Sequence, residues 1–401
     1  MTARTELSPD FSSATTSEVV LPGSDLKKTQ AVFTDPMLAG YSAVVINDSL
    51  PPSFEVLDPQ ERVFNSGERL TTMVVRFPRC VLSEFNTHRV FSRNSASSRA
   101  RSMSVTIKEL MEDPYIPLFT RNQRGMGGKY LTAAQREVAV EEWLKARDAA
   151  VAAMFSLILA DTSGGTVDGV SDADGGSSED IVISADTIRD TYPQLLERYS
   201  QEYQDEETTV LSVHKQNANR ILEPFMWHEV IVSATDWENY FQLRDHDEAQ
   251  PEIRAIARLM KDAMDASTPV PVWAHTPFED EGYRSAYASG ADYDTEKMSD
   301  PDAVLAEFMD AFMSSAGDCA RVSYKSKLAQ GSTDSTKLGY RLLDAGHLSP
   351  FEHVAVPVEL MGLNGYFDSA AADDNYSSHW IQFRTLLALT QHGTGSAEGQ
   401  K

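Results

Sequence analysis

Residues 69–91 read RLTTMVVRFPRCVLSEFNTHRVF, and this segment combines two kinds of secondary structure. Residues 70–77 are rich in β-branched and aromatic side chains, which favour a strand. Pro78 then indicates a turn, because proline restricts its own backbone and donates no hydrogen bond. The apolar residues that follow recur at the spacing of a helix face, namely Val81, Leu82 and Phe85. The segment therefore predicts a strand that turns into a short helix.

Other parts of the chain alternate between helical and strand patterns. Helices are predicted at residues 133–160 and 301–314, and another begins near Pro251, since proline suits the first turn of a helix. The segment WHEVIVSAT at 227–235 resembles a strand, and Gly346 marks a helix end before a last strand. The final segment WIQFRTLLALTQ resembles a helix. Together these patterns indicate a mixed α/β protein.

The domain organisation is predicted from composition. Residues 1–45 are polar and weakly periodic, so we expect a polar tail, and we expect residues 46–401 to form one domain. An acidic low-complexity insertion at about 161–182 contains DTSGGTVDGVSDADGGSSED. Its aspartates lack the order of an EF-hand, which favours a solvated surface insertion over a calcium site.

Charge excludes some classes of function. The chain has 60 acidic and 35 basic residues, for a net charge of -25, which opposes binding to phosphate backbones. We therefore expect no nucleic-acid partner. The sequence has neither a long apolar run nor a signal-peptide pattern, so we expect no membrane contact and a cytoplasmic location. Its 2 cysteines provide no disulfide framework.

Against this acidic background, residues 85–102 form a basic island, FNTHRVFSRNSASSRARS. It contains four arginines, one histidine and several serines, but no acidic residue. Guanidinium groups form paired hydrogen bonds to phosphate oxygens, and hydroxyl groups complete such a shell. The island therefore predicts a site for a small phosphorylated ligand. A solvated basic loop and an RNA-contacting Arg/Ser tract remain open alternatives.

Two further groups of residues are candidates for chemistry. Arg220 and Arg244 lie in apolar surroundings, where a guanidinium needs a carboxylate or an anionic ligand as partner. The segment GHLSPFEH at 346–353 places two histidines and a glutamate in one turn. Two histidines and one glutamate are a weak case for zinc, so we expect no metal. A polar turn that faces a cofactor is an equal alternative.

Taken together, these motifs resemble the flavin-dependent thymidylate synthase family, also called ThyX. The family signature R-H-R-x-x-S-x-N-E-x-S-x-R-Y aligns with residues 87–100 without a gap. The matching positions are His88, Arg89, Ser92, Asn94, Ser97 and Arg99. The departures are Thr87, Ser95 and Ala100, and Glu84 stands where the family has glutamine.

Other segments resemble further family motifs. These are ANRILEP, WENYFQLRDHDEAQPEIR, CARVSY and GHLSPFEH. In the family the last of these precedes the arginine-rich signature, whereas here it follows by roughly 250 residues. The chain therefore resembles a rearranged branch of the family, in which a permuted order is tolerated when chain ends lie close together.

The resemblance implies a fold and a reaction. It implies a ThyX-like α+β fold with a central, mainly antiparallel sheet flanked by helices. It also implies reductive methylation of dUMP to dTMP, with methylenetetrahydrofolate as carbon donor, FAD as cofactor and NADPH as reductant. A homotetramer with active sites shared between subunits follows from the same resemblance. A homologue that binds flavin or nucleotide without turnover is the alternative.

The resemblance also assigns residues to roles. Arg244 is the implied catalytic residue, which activates the pyrimidine. The implied dUMP-binding residues are Ser95, Ser97, Ser98, Arg99, Arg220 and Arg244. The implied FAD-binding residues are His88, Arg89, Asn239, His347, Ser349 and Glu352. Three residues are candidates to replace the arginine missing at Thr87, namely Arg93, Arg101 and Arg384, with Gln382 in place of the glutamine missing at Glu84.

Overall fold

A computed structural model describes ten parts of the chain. They are residues 7–20, 27–51, 69–95, 103–158, 213, 215–278, 301–322, 333–357, 375–376 and 379–389. The acidic insertion predicted at about 161–182 lies outside these described residues, as do Ser97, Ser98 and Arg99 of the basic island.

The centre of the protein is a sheet of 7 strands. Its members are β1 (Ala14–Val20), β2 (Lys27–Phe33), β3 (Ser42–Leu50), β4 (Leu70–Pro78), β5 (Ser92–Ser95), β6 (Trp227–Ala234) and β7 (Val270–Pro271). The strand order is β1-β2-β3-β4-β6-β5, with every pair antiparallel, and β7 adds a short parallel pairing to β3. The predicted mainly antiparallel sheet is thereby confirmed.

Helices flank the sheet in the part of the chain that the structure describes. They are α1 (Leu82–Phe85), α2 (Met103–Glu112), α3 (Ala133–Ile158), α4 (Lys215–Ala218), α5 (Glu238–Arg244), α6 (Pro251–Ala266), α7 (Pro301–Arg321), α8 (Thr333–Asp344) and α9 (Phe383–Leu389). Short 3₁₀ helices occupy Arg79–Val81, Asn219–Phe225 and Ser349–His353. The predicted passage from β4 through Pro78 into a short helix is confirmed.

Two sequence-based predictions need correction. Residues 14–50 contribute β1, β2 and β3 to the central sheet, whereas a polar tail was predicted for 1–45. Serine, threonine and lysine dilute the alternating pattern there, but Ala31 and Phe33 are buried in the core and β2 is paired on both sides. The final segment also differs, since Trp380–Gln382 forms strand β9, paired with β8 (Ala355–Pro357), and the helix begins only at Phe383.

The two faces of the sheet pack against different helices. On β3, Ala43 and Val45 belong to the core that includes α6, because α6 lies across β1, β2, β3 and β4. The alternate residues Val44 and Ile46 pack against Cys319 near the end of α7. This period of two is what a strand buried on both faces requires. The C-terminal part of the chain therefore covers the face of the sheet opposite α6.

The GHLSPFEH segment meets the sheet at β5 and β6. Ser349 Oγ donates a hydrogen bond to Asn94 Oδ1 on β5. His353 Nδ1 lies 2.8 Å from Ser233 Oγ on β6, and His353 is fully buried. A segment some 250 residues after the basic island in the sequence is thus adjacent to it in space.

Candidate functional site

Arg244 is the centre of the candidate site. It is the last residue of α5, and its side chain is 18% exposed. Its Nε donates a hydrogen bond of 2.9 Å to His88 Nε2, and its Nη1 forms an ion pair with Glu84 Oε1. Its Nη2 lies 3.4 Å from Thr87 Oγ1. The turn at the end of α1 therefore contacts all three nitrogens of the Arg244 guanidinium through three side chains.

His88 is enclosed by aromatic rings and cations. Its ring lies edge-on to Tyr240, with centroids 4.9 Å apart, and only 8% of the residue is exposed. Burial, followed by the charges of Arg244 and Arg93, lowers the pKa of His88 from 6.5 to about 4. His88 is consequently neutral near pH 7. Its Nε2 must be unprotonated to accept the hydrogen bond from Arg244.

A second group of side chains surrounds Arg93 on β5. Arg93 Nη1 donates to the carbonyl oxygen of His88 at 2.8 Å. Burial lowers the pKa of Arg93, and the charge of Glu352 opposes that shift. Glu352 Oε1 in turn lies 2.6 Å from Arg384 Nη1. Arg93 therefore links the His88 turn to the GHLSPFEH segment.

A chain of buried hydrogen bonds anchors the GHLSPFEH segment to the sheet. It runs through His353, Ser233, Thr72, His275, Ser49 and Asn47, with successive distances of 2.8, 2.6, 2.7, 2.8 and 3.0 Å. Asn47 Oδ1 can only accept, so Ser49 donates to it and accepts from His275 Nδ1. When His275 and His353 are neutral, each remaining hydrogen bond in the chain is donated in the same direction, from His353 toward Asn47. Every link then has a donor and an acceptor.

The structure brings four of the predicted site residues together. They are Arg244, His88, Ser349 and Glu352, which the contacts described above connect. Ser95 is half-buried on β5, next to Asn94. The other described candidates are exposed, namely Arg89, Arg220, Asn239 and His347. Ser97, Ser98 and Arg99 stay predictions, because they lie outside the described residues.

Of the candidates for the missing arginine, two are described. Arg93 contacts the backbone of the turn that contains Thr87, and Arg384 forms an ion pair with Glu352. Gln382 donates to Ser92 Oγ at 2.8 Å and to the carbonyl oxygen of Glu352 at 3.2 Å. Of these two candidates, Arg93 is the one that contacts the turn of Thr87, whereas Arg101 lies outside the described residues.

Sequence reasoning did not identify the partners of the site residues. Glu84 was noted only as a departure from the family pattern, although it forms an ion pair with Arg244 across 160 residues of sequence. Thr72, Ser233 and His275 were not singled out. A local pattern carries no signal for such contacts, but a histidine or charged residue within an apolar segment requires a partner and could have drawn attention to them.

The described residues contain neither a metal-binding cluster nor a helix that could span a membrane. No group of three or more histidine, cysteine, aspartate or glutamate side chains there is arranged to hold a metal ion. No helix in the same parts of the chain has both the length and the apolar character that crossing a bilayer requires.

The fold and the site together define a mixed α/β protein with a half-buried arginine beside an arginine-rich segment. Residues 68–270 match the family model described as thymidylate synthase complementing protein, and this match covers half of the chain. The chain therefore belongs to this family, which is the ThyX family. A search among curated proteins finds no significant match. The matched range contains His88 and Arg244, whereas the GHLSPFEH segment lies beyond it.

Two buried histidines, His88 and His353, are expected to make the protein less stable in acid. Burial lowers the pKa of His353 from 6.5 to about 3, and His88 titrates at about 4. Below pH 6.5 the unfolded chain binds protons that the folded protein does not. This stability is therefore fully present above pH 6.5 and is lost as the pH falls toward 4. As the pH falls from 6.5 toward 4, we expect His88 and His353 each to lower the free energy of unfolding by up to about 1.4 kcal/mol per pH unit.

Urea unfolding at pH 7, 6 and 5 measures this effect. His353→Gln is expected to reduce the slope of the free energy of unfolding against pH. His347→Gln is the matched control, because His347 is exposed, and it should leave the slope unchanged. Equal slopes in the original protein and the His353→Gln variant would contradict the assignment.

Proposed function

We propose that this protein is a flavin-dependent thymidylate synthase. In this proposal it converts dUMP to dTMP, with methylenetetrahydrofolate as carbon donor, FAD as cofactor and NADPH as reductant. Family membership supports the general class of activity. The observation that carries the proposal is the guanidinium of Arg244, held between Glu84 and His88 within the matched range.

Arg244 has the chemistry needed to activate a pyrimidine. A guanidinium has five N–H groups, and here three of its nitrogens contact the α1 turn, which leaves two N–H groups for a ligand. Guanidinium remains charged at any working pH, so it can stabilise negative charge that develops on a pyrimidine carbonyl oxygen. The contacts with His88 and Glu84 hold the group in place before a substrate binds.

The surrounding residues fit an anionic aromatic cofactor such as FAD. The segments that meet at the site contain four positively charged arginines, namely Arg89, Arg93, Arg244 and Arg384. The negatively charged side chains beside them are Glu84 and Glu352. Among the described residues, the buried Nδ2 of Asn94 has no hydrogen-bond partner and is a ready donor. In the proposal His88, Arg89, Asn239, His347, Ser349 and Glu352 bind FAD. The reduced flavin, when bound, supplies the hydride.

The remaining roles are assigned to polar residues of the island and to Arg220. We propose that Ser95, Ser97, Ser98, Arg99 and Arg220 bind the phosphate and sugar of dUMP. Arginine and hydroxyl groups suit this task because they form charge-assisted hydrogen bonds to phosphate oxygens. We further propose a cytoplasmic homotetramer with shared active sites, which would explain why Arg89 and Arg220 are exposed in a single chain.

Two measurements test the proposed function. The purified protein should display flavin absorbance, and it should form dTMP when supplied with dUMP, methylenetetrahydrofolate and NADPH. Flavin absorbance without dTMP would support the alternative, a homologue without turnover. The departures from the family signature at Thr87 and Ser95 are the observation that favours this alternative. A colourless protein that flavin cannot reconstitute would contradict both.

A further inference from the structure

The chain of buried hydrogen bonds between His353 and Asn47, called the hydrogen-bond relay below, has one end whose orientation is fixed. Asn47 Nδ2 donates to the carbonyl oxygen of Thr276 at 2.9 Å, so the amide turns its Oδ1 toward Ser49. Because Oδ1 can only accept, the Ser49 hydroxyl donates to it and accepts from His275 Nδ1. Asn47 and Ser49 thereby hold the ring proton of His275 on Nδ1.

The same direction of donation continues to His353. Thr72 donates to His275 Nε2 at 2.7 Å, and Ser233 donates to Thr72 at 2.6 Å. Ser233 Oγ therefore accepts from His353 Nδ1, which lies 2.8 Å away. Burial lowers the pKa of His353 to about 3, so the ring is neutral at pH 7 and its single ring proton lies on Nδ1. His353 Nε2 is consequently unprotonated.

The relay orients side chains and does not conduct a proton. It ends at the Asn47 amide, whose oxygen accepts hydrogen bonds but does not take up a proton at neutral pH. None of the six side chains in the relay is more than 5% exposed, so bulk water does not compete for these bonds. The effect of the relay is therefore to select one tautomer of His353.

The selected tautomer leaves a buried acceptor beside the GHLSPFEH segment. His353 Nε2 has no hydrogen-bond partner among the described residues, and an unpaired buried acceptor costs free energy. Ser233 is the register partner of Ser92, so His353 lies on the same face of the sheet as Ser92 and Asn94. The Nδ2 of Asn94 is also buried without a partner among these residues. An N–H or O–H group of a ligand would satisfy His353 Nε2.

We propose that Asn47 and Ser49 are positioning residues for cofactor binding. Through the relay they fix His353 as the Nδ1–H tautomer and present its Nε2 to an N–H or O–H group of the bound flavin cofactor. This inference rests on the proposed function, because it takes FAD as the cofactor beside the GHLSPFEH segment. A buried water molecule is the alternative partner of Nε2.

Replacement of Ser49 by alanine is expected to reverse the relay. Without the Ser49 hydroxyl, a proton on His275 Nδ1 would be an unpaired buried donor. The ring then donates from Nε2 to Thr72, Thr72 donates to Ser233, and Ser233 donates to His353 Nδ1. His353 would therefore carry its proton on Nε2, although four hydrogen bonds separate it from Ser49.

Ring-nitrogen NMR of the full-length protein, grown with isotope-labelled histidine, tests this tautomer at pH 7. The His353 signals are identified by their loss in His353→Gln. We expect a protonated Nδ1 in the unmodified protein and a protonated Nε2 in Ser49→Ala, whereas Ser49→Thr keeps a hydroxyl and should retain the original signals. Ser267→Ala is the matched control, because Ser267 is a buried serine that donates to Asp48 outside the relay.

Fluorescence titration with FAD tests the contact with the cofactor. Ser49→Ala is expected to raise the Kd for FAD about tenfold, since a donor on Nε2 would face a donor of the cofactor and one hydrogen bond would be lost. We expect Ser49→Thr and Ser267→Ala to change the Kd by less than twofold. Thermal unfolding of each sample checks that the variants are folded.

The outcomes separate this inference from the proposed function. An unchanged His353 tautomer in Ser49→Ala would overturn the relay, as would an equal change in Ser267→Ala. A changed tautomer with an unchanged Kd for FAD would overturn the contact between His353 and the cofactor and would assign Nε2 to a buried water molecule. If the unmodified protein binds no FAD, the proposed function fails, and the ring-nitrogen signals still decide whether Ser49 sets the tautomer of His353.

Discussion

Replacement of Arg244 by alanine is expected to lower kcat for dTMP formation by about 10²–10³-fold, which is the usual cost of removing one preorganised charge-stabilising donor. The reason is the position of Arg244, which three side chains of the α1 turn hold while two N–H groups remain available. Steady-state rates with saturating dUMP and methylenetetrahydrofolate measure the effect. Thermal unfolding of the same sample checks that the variant is folded.

Lysine at position 244 tests whether charge alone is sufficient. Lysine keeps the positive charge but cannot bridge His88 and Glu84 as a planar guanidinium does. We therefore expect Arg244→Lys to recover less than a tenth of the lost activity. Arg341→Ala is the control, because Arg341 is an exposed arginine on α8. Full activity in Arg244→Ala would remove Arg244 from the proposed mechanism.

Replacement of Asp48 by asparagine is expected to lower the free energy of unfolding by about 3–5 kcal/mol. Asp48 and Arg69 are each 4% exposed, and their side chains form two hydrogen bonds, of 2.8 and 2.6 Å. Thr71 and Ser267 also donate to the Asp48 carboxylate. Asparagine would leave the buried guanidinium without its counter-charge, and that uncompensated charge is the cause of the expected loss.

Asp113→Asn is the matched control for Asp48→Asn. The same chemical change is made there at an ion pair with Arg76, but Asp113 is 57% exposed. Solvent compensates an exposed charge, so we expect a loss of under about 1 kcal/mol. Urea unfolding measures both variants. Similar losses at the two positions would indicate that the burial of the Asp48–Arg69 pair does not determine its contribution.

The basic island illustrates how far the sequence could predict the site. Its composition indicated a ligand site, and the resemblance named His88, Arg244, Ser349 and Glu352, which the structure brings together. The sequence could not predict that Glu84 contacts Arg244, because the two residues are 160 positions apart. The proposed phosphate-binding residues Ser97, Ser98 and Arg99 stay predictions.

The N-terminal segment illustrates where composition misleads. Serine, threonine and lysine in residues 14–20 and 27–33 indicated a polar tail, yet these two segments form strands of the sheet. Strand preference depends on neighbours more than on the residues themselves, and here β3 and α6 provide those neighbours. The buried face of β2 needs only a few apolar residues, so its sequence signal was weak.

The sequence alone was sufficient to predict several individual elements, the family and the presence of a basic island. Strand β4, the turn at Pro78 and α6 all follow from short-range periodicity and from the conformational limits of proline. Tertiary structure alone decided the strand order, the place of β1 and β2, and the partners of Arg244. It also decided that the GHLSPFEH segment docks on β5 and β6. These features depend on contacts between residues far apart in the chain, where burial and hydrogen bonding act only once the chain is folded.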